Sequence, residues 1–126
     1  MSLYHDLILD HYKHPRNFGE LSGADITIKE ENIGCGDDIE IFLKFQSPGT
    51  KRQIETIKWK GRGCAIATAG ASLLSERVCQ IRQMSQIRQI CESDMVALLG
   101  GNISPGRMKC ATLALRALQK ALKEAA

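Results

Sequence analysis

The sequence has no apolar run approaching the roughly 20 residues that a membrane-spanning helix needs, and it has no internal repeat or low-complexity segment. Its basic residues are scattered, so a formal net charge of +3 does not form the massed basic stripe of a nucleic-acid binder. The opening residues do not read as an export signal. The opening MSLYHDLILDHYKHPRN carries Asp6 and Asp10 early, which interrupts the apolar stretch that a secretory or transit peptide requires. No two cysteines stand in a CxxC pair, and their number, five, is odd. These absences argue against a disulfide framework and for reduced thiols available to a metal or to sulfur chemistry. They point to a cytoplasmic protein with neither a membrane nor a nucleic acid as partner.

What is present is an ordinary globular balance, 44% hydrophobic and 25% charged over 126 residues, enough for one domain over 1–126 and too little for two. Leu3, Leu7, Ile8 and Tyr12, with Tyr4 and His11 beside them, repeat at helical spacing until Pro15 stops them, which predicts a first helix of about three turns. RNFGELSGA reads as a loop. Ile26 and Ile28, then Ile39, Ile41, Leu43 and Phe45, alternate with polar residues and predict two strands with one buried face each. After the turn SPGT, a third strand carries Ile54, Ile57 and Trp59, whose apolar phase slips by one between 54 and 57; a bulge would absorb the slip. From Cys64 the pattern turns helical, with Ile66, Ala69, Gly70, Leu73 and Leu74 on one side, small enough to lie close against a sheet. A shorter helical stretch surrounds Ile87, Ile90 and Cys91, and DMVALLGG adds core before its glycine pair. A last helix runs from about Cys110 through Leu115, Leu118 and Leu122. Helix, three strands, then helices predicts an α+β domain with helices packed on one face of a small antiparallel sheet.

The cysteines divide by setting. Cys79 and Cys91 fall among Val78, Ile81, Ile87 and Ile90 and read as small buried hydrophobes. Cys35, Cys64 and Cys110 instead lie at junctions of loop and element, with glycine, acidic or basic neighbours, although 29 and 46 positions separate them. Cys64 and Cys110 fall at predicted helix N-termini, where unpaired N–H groups and the dipole favour the thiolate and lower its pKa. Glycines beside Cys35 and Cys64 permit positive φ and close backbone approach. Asp37, two residues after Cys35, completes a tetrahedral set of three sulfurs and one oxygen: Cys35, Asp37, Cys64 and Cys110. Thiolates hold zinc or iron strongly, whereas a carboxylate fits an iron–sulfur cluster less well than a fourth cysteine and makes release easier. Arg62, Arg107 and Lys109 are near in sequence and either balance the negative charge of such a site or form a solvated surface. Asp38 reads as the solvent-facing start of its strand, and His5, His11 and His14 as surface or partner-contact residues rather than ligands.

The segments ILDHYKHPRNFG, ENIGCGDDIEIFLKF, GRGCAIATAGASLL and SPGRMKCATLAL together resemble the NifU/IscU-type iron–sulfur cluster scaffold family over essentially the whole chain. The resemblance implies an α+β fold and a cluster or zinc site at Cys35, Asp37, Cys64 and Cys110, supplied with sulfur by a cysteine desulfurase. It implies a transient [2Fe-2S] cluster passed to acceptor apo-proteins, with Cys110 as the first sulfur acceptor and Asp37 keeping the cluster labile. The alternative it carries is a zinc-dependent sulfurtransferase of the SufU type. Lys109 stands where the IscU branch usually has histidine and RMKCATL reads more like the SufU branch, while the 46 positions between Cys64 and Cys110 are too few for the insertion usual in that branch, so the chain looks intermediate. SPGRMK replaces the proline-rich chaperone-recognition motif, retaining only Pro105, which weighs against an Hsp70-type chaperone as partner.

Overall fold

The computed structural model of the protein describes residues 3–34, 36–47, 49–50 and 52–125, with the side chains of Leu3 and Tyr4 outside that description. Cys35 therefore lies outside the described residues. The element order is α1 (Leu3–Lys13), β1 (Ile26–Asn32), β2 (Asp37–Phe45), β3 (Ile54–Arg62), α2 (Ala65–Ile81), α3 (Met84–Ile87), α4 (Glu92–Leu98), α5 (Met108–Ala111) and α6 (Leu113–Ala125), with a 3₁₀ turn at Pro105–Arg107.

The three strands form one antiparallel sheet in the order β1-β2-β3. Because side chains alternate across a strand, Ile39, Ile41, Leu43 and Phe45 of β2 all point to one face, in register with Ile26 and Ile28 on one side and Ile57 and Trp59 on the other. That face is the core, closed by α2 and α6. The opposite face is polar, with Lys29, Glu40 and Lys60 side by side across the three strands and Lys60 Nζ 3.6 Å from Glu40. The expected bulge is present: Lys44 faces Thr56 while Phe45 faces Ile54, so Glu55 is the extra residue.

Helix α2 packs on more than the sheet. Ala67, Ala71, Leu74 and Val78 meet the strands and α6, whereas Ala69 and Leu73 join Leu99 and Ala111 in a second cluster that Leu7, Ile8 and Ile66 flank. The residues expected to share one sheet-facing side are thus divided between two partners, because a helix of small side chains admits neighbours all round.

Helix α1 is turned by one residue from the expected phase. Tyr12 is 46% exposed, and His11, expected at the surface, is 3% exposed. His11 sits four positions after Leu7 and takes the inward place, where its Nδ1 lies 2.6 Å from Ser72 Oγ of α2. The following Pro-Arg-Asn segment is tied down as well. The Arg16 amide donates to Ser72 Oγ at 2.9 Å, Asn17 Nδ2 donates to Ser75 Oγ at 3.0 Å, and Trp59 Nε1 donates to the Arg16 carbonyl at 2.8 Å. These bonds fasten α1 and the loop after it to α2 and β3.

Burial first, and Arg16 next, hold the His11 pKa below the usual histidine value, outweighing Glu76 and Asp10. A histidine depressed in the folded state stabilises the fold above its unfolded pKa near 6.5, and that contribution is lost as pH falls through the folded value. The unfolding free energy from urea titrations is expected to drop between pH 7.5 and 5.5, by at most about 1.4 kcal/mol per pH unit for one proton. His11→Asn should start lower and lose less over the same interval; equal losses in both proteins would assign the acid sensitivity elsewhere.

Cys91 departs from its expected place. The helical pattern does not run through it: α3 ends at Ile87, and Cys91 is the extended N-cap of α4, with its amide donating to Asp94 Oδ2 at 2.8 Å. It is exposed rather than buried, while Cys79 is half-buried against the main core as expected. Among the described residues, no helix is long and apolar enough to cross a membrane.

Candidate metal and sulfur site

Three elements from distant parts of the chain deliver the site. Asp37 is the first residue of β2, Cys64 is the N-cap of α2, and Cys110 is in α5. One donor atom from each, a carboxylate oxygen and two sulfurs, lies within 4.8 Å of the other two. The Cys110 thiol donates to Asp37 Oδ2 at 3.3 Å. A proton shared between a thiol and a carboxylate occupies ground that a cation can take, since metal ligation by cysteine requires the thiolate. The donor set, soft sulfur with one hard oxygen, suits zinc or iron. Of the four residues expected to converge, three do so. The fourth, Cys35, lies outside the described residues, between Gly34 and Gly36, whose φ values are +94° and +77°.

The local sequence accounts for the convergence. Asp37 is only 6% exposed because Gly63 lies against it: a Cβ at position 63 would stand 3.2 Å from Asp37 Oδ1 and 2.9 Å from the Ala67 Cβ. The glycine before Cys64 thus lets the start of α2 close on the carboxylate. Cys110 is carried in by α5, whose Ala111 carbonyl rests on α2 at Gly70.

Cys64 stands at a helix N-terminus as expected, with no acidic residue in the first turn of α2. Cys110 does not. It is the third residue of a four-residue helix preceded by a 3₁₀ turn, and α6 begins only at Leu113. The expected lowering of its pKa is accordingly reversed. Burial above all, then its hydrogen bonds and negative neighbours at Cys64 and Asp37, push the Cys110 thiol up to about 12. In the metal-free protein at pH 8, a shift of that size cuts the thiolate by about a thousandfold, and the greater nucleophilicity of a more basic thiolate recovers part of it. The net is alkylation on the order of fiftyfold slower than an unperturbed thiol. Peptide mass spectrometry after timed iodoacetamide treatment, with exposed Cys91 as the internal comparison, measures this. Labelling of Cys110 as fast as Cys91 would contradict it.

Of the two readings open for the nearby bases, the solvated surface is the one observed. Arg62, Arg107 and Lys109 are exposed, and among the described residues the cation bonded at the site's edge is Arg116. Its Nη2 donates to Asn32 Oδ1 and, at 2.9 Å, to the Lys109 carbonyl. Asn32 Nδ2 donates to Asp37 Oδ2 at 3.3 Å and to the same Lys109 carbonyl at 3.2 Å. Neither Asn32 nor Arg116 was singled out by the sequence. A hint existed for Asn32, a polar residue in the inward phase of β1 after Ile26 and Ile28. Asp38 is exposed at the strand start as expected, and its Oδ1 accepts from the Arg62 amide at 3.3 Å.

A three-stranded antiparallel sheet covered on one face by helices, with cysteine and aspartate donors gathered at one end, defines a small α+β protein with a thiol–carboxylate site. The chain belongs to the family described as the NifU-like N terminal domain, which matches residues 3–125. It is 33% identical to the zinc-dependent sulfurtransferase SufU of Bacillus subtilis (strain 168), over 94% of this chain and 88% of that protein. It is 30% identical to the iron–sulfur cluster assembly scaffold protein IscU of Thermotoga maritima, over 97% of this chain and 94% of that protein. These comparisons extend over 135 and 138 aligned positions, more than the 126 residues here, so both relatives carry residues that this chain lacks. The fold is shared with the crystal structure of a nitrogen-fixing NifU-like protein (N-terminal) from Brucella abortus, at a TM-score of 0.76, 16% identity, and 98% and 94% coverage of the two chains.

Proposed function

We propose that this protein is an iron–sulfur cluster assembly scaffold. Its 126 residues act as one domain that takes sulfur from a cysteine desulfurase, iron, and the electrons that reduce sulfane sulfur to sulfide from a thiol or electron-transfer protein, builds a labile [2Fe-2S]-type cluster on Cys35, Asp37, Cys64 and Cys110, and passes it to acceptor apo-proteins. The observation that carries this reading is the gathering of the Asp37, Cys64 and Cys110 donor atoms within 4.8 Å of one another, with Cys35 two positions before Asp37. Three thiolates bind the cargo strongly, and the one carboxylate supplies the corner from which it is released.

Sulfur arrives by exchange. The Cys110 thiolate attacks the outer sulfur of the desulfurase persulfide, the S–S bond there breaks, and the desulfurase cysteine leaves as thiolate with the sulfane sulfur now on Cys110. In the resting site Cys110 donates its proton to Asp37 Oδ2 at 3.3 Å, and the departing desulfurase thiolate, a far stronger base than a carboxylate, is that proton's final acceptor.

A second reading, a zinc-dependent sulfur acceptor of the SufU type, is favoured by the high pKa of Cys110, about 12. Such a thiol needs a cation beside it to become a nucleophile near neutral pH. Anaerobic incubation with ferrous iron, cysteine and a cysteine desulfurase separates the two. A scaffold develops visible cluster absorption; a zinc relay gains persulfide mass alone. A purely structural zinc module predicts that chelation unfolds the chain. With a continuous core from Ile39 to Ala125, the chelated protein is instead expected to keep a cooperative thermal transition by circular dichroism, and loss of that transition would favour the structural role.

A further inference from the structure

Asn32 and Arg116 are 84 positions apart and meet at the edge of the site. Asn32 ends β1, directly opposite Asp37 in the sheet register, and is buried; Arg116 is half-buried in the first turn of α6. The chemistry of the two side chains fixes the direction of every bond between them. A guanidinium only donates, so the Asn32 amide must turn its oxygen toward Arg116, which leaves its NH₂ facing Asp37 Oδ2 and the Lys109 carbonyl. Arg116 donates to that same carbonyl. The residue whose carbonyl they share immediately precedes Cys110. One arginine and one amide therefore set the carboxylate of Asp37 and the backbone that carries Cys110 relative to each other.

We infer that Arg116 and Asn32 are positioning residues for the Asp37 ligand. Arg116 locks the amide of Asn32, and the locked amide holds Asp37 Oδ2 toward Cys110, so that the oxygen donor is already in place when a metal ion enters. The inference rests on the proposed metal site. Ligating carboxylates in metalloproteins are themselves held by hydrogen bonds, and loss of such a partner typically lowers metal affinity about 10- to 100-fold. The competing idea is that the pair merely ties α6 to β1. Lys120 Nζ, 3.2 Å from Glu30 Oε2, already makes such a tie one turn further on, and that pair does not touch Asp37.

The test uses the full chain and cobalt(II), a coloured stand-in for zinc, titrated anaerobically. The unsubstituted protein should show thiolate-to-cobalt charge transfer and tetrahedral d–d bands. Arg116→Met is expected to weaken cobalt binding about 10- to 100-fold and to shift the d–d bands while leaving charge-transfer intensity per bound cobalt unchanged, because the oxygen donor and not the sulfurs is disturbed. Asn32→Leu, which cuts the relay at its other end, should give the same loss, and the double variant no more than either alone. In an Asp37→Ala background, Arg116→Met should cost less than about threefold, since its target is gone. Unchanged affinity in Arg116→Met, additive losses in the double variant, or an equal cost with and without Asp37 would each overturn the inference while the metal site stands. Absence of charge-transfer bands in the unsubstituted protein would instead remove the site itself, and this inference with it.

Discussion

Replacing Cys110 with serine is expected to leave no persulfide on residue 110 after incubation with cysteine and a cysteine desulfurase, while the fold survives. A serine hydroxyl is not ionised at neutral pH and cannot attack a persulfide sulfur as a thiolate does. The isosteric hydroxyl can still donate to Asp37 Oδ2, the present partner of the thiol, so the change in stability should stay within about 1 kcal/mol, the worth of one neutral hydrogen bond. The site offers a reason to single out this cysteine. Cys110 donates directly to a carboxylate, and its α5 segment follows an exposed turn over Pro105–Arg107, whereas Cys64 caps a helix whose first turn packs on the sheet cluster. Intact-mass analysis of both proteins, with and without thiol reductant, gives the result. Full sulfur uptake by Cys110→Ser would transfer the acceptor role to Cys64 or Cys35.

Much of the scaffold was legible in the chain because it depends on short-range patterns. Alternation at Ile39, Ile41, Leu43 and Phe45 set the inward face of β2, and the slipped phase between Ile54 and Ile57 located the bulge, which appears at Glu55. The convergence of Asp37, Cys64 and Cys110 was legible for a different reason: cysteine next to glycine at element junctions marks backbone that must bend and approach closely, and Gly63 against Asp37 is the result. What escaped depends on contacts over long separations. His11 lay on the apolar stripe, at i+4 from Leu7, but its buried state rests on Ser72, 61 positions away. The break between α5 and α6 at Thr112 removed Cys110 from the helix N-terminus where the periodicity put it. The thiol then answers to burial and two acidic neighbours rather than to a helix dipole. Arg116 lies among leucines and alanines in α6 with nothing in that pattern to connect it to Asn32.

Lys109, the residue before the third cysteine, meets the site through its backbone. The Lys109 side chain is exposed, while its carbonyl accepts from both Asn32 and Arg116. The built part of the site uses only the backbone there. Among the described residues, Asn32 and Arg116 thus reach position 109 through its carbonyl, and the holding of Asp37 and Cys110 does not call on the lysine side chain.

Asp37→Ala is expected to slow transfer of an assembled cluster to an acceptor about tenfold, which corresponds to ~1.4 kcal/mol in barrier. Release needs one coordination position to open so that an acceptor thiolate can enter. A carboxylate is the donor most easily spared, being harder than the sulfurs around it, and in this protein it has somewhere to go. Asn32 Nδ2, 3.3 Å from Asp37 Oδ2, can keep the departing oxygen hydrogen-bonded, which lowers the cost of an unpaired carboxylate in a site only 6% exposed at that residue. On the proposed scaffold reading, alanine removes the labile corner and leaves Asn32 with no oxygen to receive, so opening must proceed by loss of a thiolate, a stronger ligand for iron. The measurement is the decay of cluster absorption on mixing reconstituted protein with an apo-ferredoxin under anaerobic conditions. Transfer from Asp37→Ala as fast as from the unsubstituted protein would show that the carboxylate is not the gate, and a variant that never acquires a cluster would show that it is an indispensable ligand instead.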